Sequence, residues 1–298
     1  MRGARKRHRT PASACGNQPH SAFRNPAAYI HVFAQSLLRD KIFPRVVLSV
    51  LNSTGILTLL VSLALALGQG GSAGRASTVE PSVTSPVIVI GFVGGFISHD
   101  NAVHGGVQLA ARLRKNYPSR VYVQVYENHR AQKAHEEILR LLDADHDGDL
   151  SAEEKQKARI IIYGHSWGAS ETVNLARALQ SDGIPVLLTI QVDSVAKPGE
   201  DDSLIPANVA QAANFYQANG FLHGRTQIRA ADPSHTQIVE NVRFDYAANP
   251  VRCEGYPWFA RAFEKPHIEI ECDQDVLNRV ESLIRSKLPS PMPSGAAQ

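Results

Sequence analysis

"IIIYGHSWGAS", residues 160–170, decides the fold. Ile160, Ile161, Ile162 and Tyr163 favour a buried strand, Gly164-His-Ser166-Trp-Gly168 turns the chain sharply, and the small residues that follow suit a helix. Glycines on both sides of a serine allow backbone to approach backbone where a side chain would clash. The stretch therefore predicts a strand, a tight bend and a helix, with the Ser166 hydroxyl raised at the carboxyl end of the strand and the helix N-terminus directed at it.

Working outward, short apolar runs alternate with amphipathic stretches. "PVIVIGF" (86–92) reads as a strand entering the glycine-rich "GFVGGF" (91–96), residues 101–115 as a helix, "VYVQVYE" (121–127) as a strand and residues 131–142 as a helix. After the bend come a helix over 169–179 and the strand "PVLLTIQVDS" (185–194). Such alternation predicts an α/β fold, a mostly parallel sheet covered by helices on both faces. Beyond residue 194 the pattern loosens. "IPANVAQAANFYQ" (205–217) reads as a helix after a proline-containing start, "RTQIRA" (225–230) and "VRFDY" (242–246) as short strands, "DQDVLNRVESLIRSK" (273–287) as the last helix, and 288–298 as an unstructured tail.

The strand, the Gly-x-Ser-x-Gly bend and the helix resemble the nucleophile elbow of the α/β-hydrolase superfamily, and the resemblance spans residues 86–287 with little or no lid. It implies a serine nucleophile, Ser166, with an acid and then a histidine following it in the chain. Asp193 ends the next strand after the elbow helix, the earlier acid position that thioesterase-like members use, and His267 lies just before the last helix, where the family's base resides. Asp201, Asp202 and Asp232, and His223 and His235, are weaker rivals. An oxyanion hole is implied at the backbone N–H of Trp167 and in the loop after the first strand, at Phe92 or Val93. Ile90 stands where a histidine often precedes the glycine, a departure that backbone donors tolerate.

"DADHDGDLSAEE" (143–154) carries a second signal. Asp143, Asp145 and Asp147 fill positions 1, 3 and 5 of a twelve-residue calcium loop, Gly148 position 6, and Glu154 the closing position 12, with Asp149 offering its backbone carbonyl at position 7. The spacing looks like an EF-hand loop and implies a calcium cofactor. Its entering helix is well formed, whereas residues 153–159 allow barely two turns before the strand, which suits a half-formed or dockerin-like turn.

Charge divides the chain. Nine of its 31 Lys and Arg precede residue 69, against one acid, Asp40; the remainder carries 22 basic and 27 acidic residues. Nucleic acid is therefore not an expected partner, since phosphate binding needs a concentrated basic surface. The basic leader (1–45) precedes the uncharged apolar stretch 46–68, read as a signal h-region or an uncleaved membrane anchor, and a linker follows over 69–85. Either reading exports the body, making the protein secreted, periplasmic or membrane-anchored. Of three cysteines only Cys253 and Cys272 lie beyond the leader; they form a disulfide in an oxidising compartment or remain buried thiols.

These readings converge on an exported serine hydrolase of ester or thioester bonds with a structural calcium site. Two alternatives stay open: a non-enzymatic calcium-binding protein on the same scaffold, and an acyltransferase.

Overall fold

Six strands form one sheet: β1 (Val87–Val93), β2 (Val121–Glu127), β3 (Ile160–His165), β4 (Val186–Val192), β6 (Val209–Gln217) and β8 (Gln237–Phe244). They lie in the order β2-β1-β3-β4-β6-β8, while β5 (Leu204–Ile205) and β7 (Arg229–Ala230) pair separately. Every pairing is parallel. The computed structural model describes residues 86–289, within the unit Leu60–Gln298 of the two into which the chain divides. The leader, the apolar stretch 46–68, the linker and all but the start of the tail lie outside the described residues. Among the described residues no helix is long and apolar enough to cross a membrane.

Parallel strands need crossovers, and helices supply them. The helices are α1 (Gly105–Asn116), α2 (Ala131–Leu142), α3 (Ala152–Gln156), α4 (Trp167–Ser181), α5 (Trp258–Phe263), α6 (Lys265–Cys272) and α7 (Gln274–Arg285). Strand side chains alternate between two cores. Val89, Ile161, Tyr163 and Ile190 pack with Leu109 and Leu113 of α1 and Val280 and Ile284 of α7. Ile88, Ile90, Ile160 and Ile162 pack with Ile138 of α2 and Val173 and Leu179 of α4. With both faces covered, β1 and β3 are buried along their whole length, which is why they read as unbroken apolar runs.

The order β2-β1-β3 places a reversal of winding between β1 and β3. Chains leaving two neighbouring strands in opposite directions leave a crevice at their carboxyl ends, where ligands of open α/β sheets bind. Ser166 emerges at that crevice.

Two expectations are corrected. Residues 205–217 do not form a helix: Val209–Gln217 is a strand paired to β4 on one side and β8 on the other. Its alanines and glutamines favour a helix in isolation, but Ala212, Ala213 and Phe215 are buried, and small side chains fit where both faces are covered. The short strand expected near residue 242 is instead the eight-residue β8, which closes that edge of the sheet.

Candidate active site

Ser166 follows β3 directly and caps α4 with φ 58° and ψ −127°. A non-glycine residue holds such a backbone only where its surroundings enforce it. Here they do. A Cβ at Gly164 would lie 2.3 Å from the Gly168 carbonyl oxygen, and one at Gly168 would lie 2.4 Å from that of Phe92, so strand, bend and helix touch backbone to backbone. The Ser166 amide donates to the Val192 carbonyl at 3.0 Å, and the amides of Ala169 and Val195 donate to the Ser166 carbonyl. The bend is thereby tied to both β4 and α4.

Asp193 lies one residue beyond β4, also at positive φ, 45°. Its fully buried carboxylate accepts four hydrogen bonds. Oδ1 takes the amides of Gln217 at 3.1 Å and Gly224 at 2.8 Å. Oδ2 takes Gln217 Nε2 at 2.8 Å and His267 Nδ1 at 2.6 Å. Burial pushes this carboxyl up, but the His267 bond and the Gln217 donors outweigh it and hold the pKa below the ordinary aspartate value.

His267 lies just before the last helix, as expected, within the short α6, and it is buried. Burial opposes its charged form, yet the hydrogen bond and charge of Asp193, with Glu264 and Glu271 nearby, raise its pKa above the usual histidine value. Donation to Asp193 fixes the proton on Nδ1 and leaves Nε2 as an acceptor.

The ring of His165, the residue preceding Ser166, packs on His267 with centroids 4.5 Å apart. Ser166, Asp193 and His267 thus gather at one edge of the sheet. Among the described residues no hydrogen bond joins Ser166 Oγ to the His267 imidazole; such bonds are often long until a substrate draws the groups together.

Phe92, expected to donate to the oxyanion, lies inside β1, paired with both Tyr126 and Gly164, so its amide belongs to the sheet. The backbone that borders the serine is Gly94, where a Cβ would lie 2.7 Å from Ser166 Cβ and 3.4 Å from Oγ. Trp167 is the first residue of α4. Its ring meets Phe96 edge-on at 5.9 Å, so an aromatic pair borders the serine.

The rival acids, and His235 with them, are engaged elsewhere. Asp202 accepts from Ser194 and Arg225, Asp201 from Ser203, and Asp232 pairs with His235 on the surface.

Cys253 and Cys272 are bonded, closing a segment that contains His267. A loop of about this size restricts the unfolded chain by about 3 kcal/mol. Reduction is expected to lower stability by roughly that amount; a urea midpoint unchanged by a reductant able to reach the bond would contradict it.

In the calcium-type loop, Asp143, Asp145 and Asp147 bring one carboxylate oxygen each within 4.8 Å of one another. Gly148 turns at φ 89°, and its amide donates to Asp143 Oδ2 at 3.2 Å, while Asp143 Oδ1 is buried with no hydrogen-bond partner. This oxygen-only set with an orphaned acceptor fits a hard divalent cation. Glu154 is not in the cluster: it forms a capping box with Ser151 and accepts the Ala144 amide at 2.7 Å. Those backbone donors, Ala144 foremost, hold its carboxyl down to about 2. Asp149, whose backbone carbonyl is the expected ligand, donates its amide to Asp147 Oδ1 at 2.8 Å.

Neither a family model nor a curated protein matches the chain. Solved structures do show similarity. A cutinase-like protein from Cryptococcus sp. is 12% identical over 71% of this chain and 98% of its own, with a TM-score of 0.37. Human thioesterase 2 is 10% identical over 69% and 99%, with a TM-score of 0.33. An esterase from the archaeon Pyrobaculum calidifontis is 11% identical over 67% and 76%, with a TM-score of 0.34. At such values the similarity carries no functional argument. The parallel six-stranded sheet with helices on both faces is consistent with an α/β-hydrolase fold.

Proposed function

We propose that the protein is a serine hydrolase that cleaves ester or thioester bonds. The observation that carries this reading is the buried Asp193–His267 hydrogen bond beside a serine held at positive φ. In the proposed reaction Ser166 Oγ attacks the acyl carbon and passes its proton to His267 Nε2. The imidazolium, balanced by Asp193, then protonates the departing alkoxide or thiolate. Water repeats the sequence on the acyl-enzyme, releasing the acid and restoring the serine. The developing oxyanion would be met by the Trp167 amide and by the backbone at Gly94 rather than at Phe92. The Phe96–Trp167 pair favours an apolar acyl group.

The base must be neutral to accept the serine proton. Because the His267 pKa is raised, activity is lost as pH falls through a value above the ordinary one. Hydrolysis of p-nitrophenyl acetate is therefore expected to rise with pH, with a kcat/KM midpoint above about 6.5. A midpoint well below that value would contradict the pairing with Asp193.

The proposal includes calcium held by Asp143, Asp145 and Asp147, with Glu154 leaving its capping box to complete the shell. Bound there, the ion would brace the link between α2 and β3. For a Kd of about 10⁻⁴ to 10⁻³ M, about 10 mM calcium stabilises by roughly 1–3 kcal/mol. Melting a few degrees higher with calcium than with chelator is expected; equal midpoints would remove the site. Export completes the reading, supported by the leader sequence and by a disulfide, a bond of oxidising compartments.

A further inference from the structure

His165 follows the alternation of Ile161 and Tyr163 onto the α1 and α7 face of the sheet and is buried against α6. Its Nε2 lies 3.1 Å from the carbonyl oxygen of His267. A carbonyl can only accept, so Nε2 carries the hydrogen and Nδ1 is left with a lone pair. That Nδ1 has no hydrogen-bond partner and faces Glu271 Oε2 at 3.6 Å. Glu271 is one helical turn from His267, on the same side of α6. Both its oxygens lie 3.0 Å from His104 Nδ1 at the start of α1, and Oε2 takes the Tyr256 hydroxyl at 3.1 Å. All four groups are buried. Burial pushes the His165 pKa down to about 4, against the pull of Glu271, so the ring is neutral at neutral pH.

Asp193 holds one nitrogen of the His267 ring but does not fix the tilt of its plane. The N–H of a second ring, its centroid 4.5 Å away, holds the backbone carrying the imidazole and so restricts that tilt. Glu271, clamped by His104 and Tyr256, keeps α6 in place beneath both. Phenylalanine would supply the flat ring without the donor, and glutamine the donor without the ring.

We propose that His165 is a positioning residue for the proposed base His267, acting through its N–H hydrogen bond to the His267 carbonyl, with Glu271, His104 and Tyr256 anchoring the helix that carries His267. This rests on the serine-hydrolase reading for its kinetic consequence, though not for its geometry.

The test compares His165→Phe and His165→Gln by circular dichroism, by kcat and KM on p-nitrophenyl acetate, and by the downfield proton NMR signal of the His267 Nδ1–H bound to Asp193. Misplacement of a reacting group by about 1 Å costs about 10²-fold. His165→Phe is expected to keep the fold and the KM within about twofold and to lose roughly 10- to 100-fold in kcat, with its downfield signal broadened. His165→Gln, whose Nε2 reaches the same carbonyl, is expected to stay within about fivefold and to keep the signal. An unchanged kcat and signal in His165→Phe would overturn the proposal, as would an equal loss in both variants. If the wild type hydrolyses no ester, the hydrolase reading fails, and the NMR comparison alone then upholds or overturns the positioning role.

Discussion

Asp193→Asn is expected to lower kcat by roughly 10⁴-fold with little change in KM, an effect of the size seen when the acid of a serine triad becomes an amide. The backbone tolerates the change, since Asn adopts positive φ more readily than most residues. The new amide can still offer its oxygen to the Gln217 and Gly224 amides. Its NH₂ then stands where Oδ2 stood, facing His267 Nδ1 and Gln217 Nε2. Two donors cannot share that position, so the imidazole is driven to the tautomer with its proton on Nε2. A nitrogen that already carries a proton cannot take one from Ser166. Loss of the carboxylate also removes the main cause that raises the His267 pKa against burial, leaving only Glu264 and Glu271, so residual activity should persist to lower pH. A variant with wild-type kcat and an unmoved pH profile would show that Asp193 is not the partner of the base.

Gly168→Ala is expected to have the largest effect on stability, about 3 kcal/mol or more, with loss of activity. The added Cβ would meet the Phe92 carbonyl oxygen at 2.4 Å and the Val93 carbonyl oxygen at 2.8 Å. Both are backbone atoms of a buried central strand and cannot swing aside, so α4 must lift from β1 and carry the Ser166 bend with it. Gly106→Ala provides the control. Its Cβ would find no atom closer than 3.6 Å, and within α1 alanine is expected to be neutral or stabilising by up to about 1 kcal/mol. Equal urea midpoints for Gly168→Ala and the wild type would mean that the bend is not under this constraint.

The bend is legible because its information is local: three small residues alternating in one pentapeptide, Gly164, Ser166 and Gly168, allow a close backbone crossing. The clustering of Asp143, Asp145 and Asp147 is legible for the same reason, since their alternate spacing lies within one short turn. Asp193 and His267 were read from chain order and element ends, yet the helix around His267 was not, because Lys265, Pro266 and the residues after them show little amphipathic contrast. Strand β6 reads as a helix in the sequence because its alanine and glutamine content speaks of local preference, while its conformation is set by neighbours on both sides. The amides of Gln217 and Gly224 on Asp193, the Gly94 contact with Ser166, and the His104–Glu271–His165 cluster join residues far apart in the chain. No periodicity or spacing encodes such contacts in a single sequence.

The central claim is that the strained hydroxyl at the end of β3 is an activated nucleophile with His267 as its base. The most direct measurement is the rate of fluorophosphonate adduct formation, with the modified residue located by peptide mass spectrometry. A stable adduct on Ser166, formed at least about 10³-fold more slowly in His267→Ala, is the predicted result. Absence of an adduct on Ser166, or a rate indifferent to His267→Ala, would contradict it.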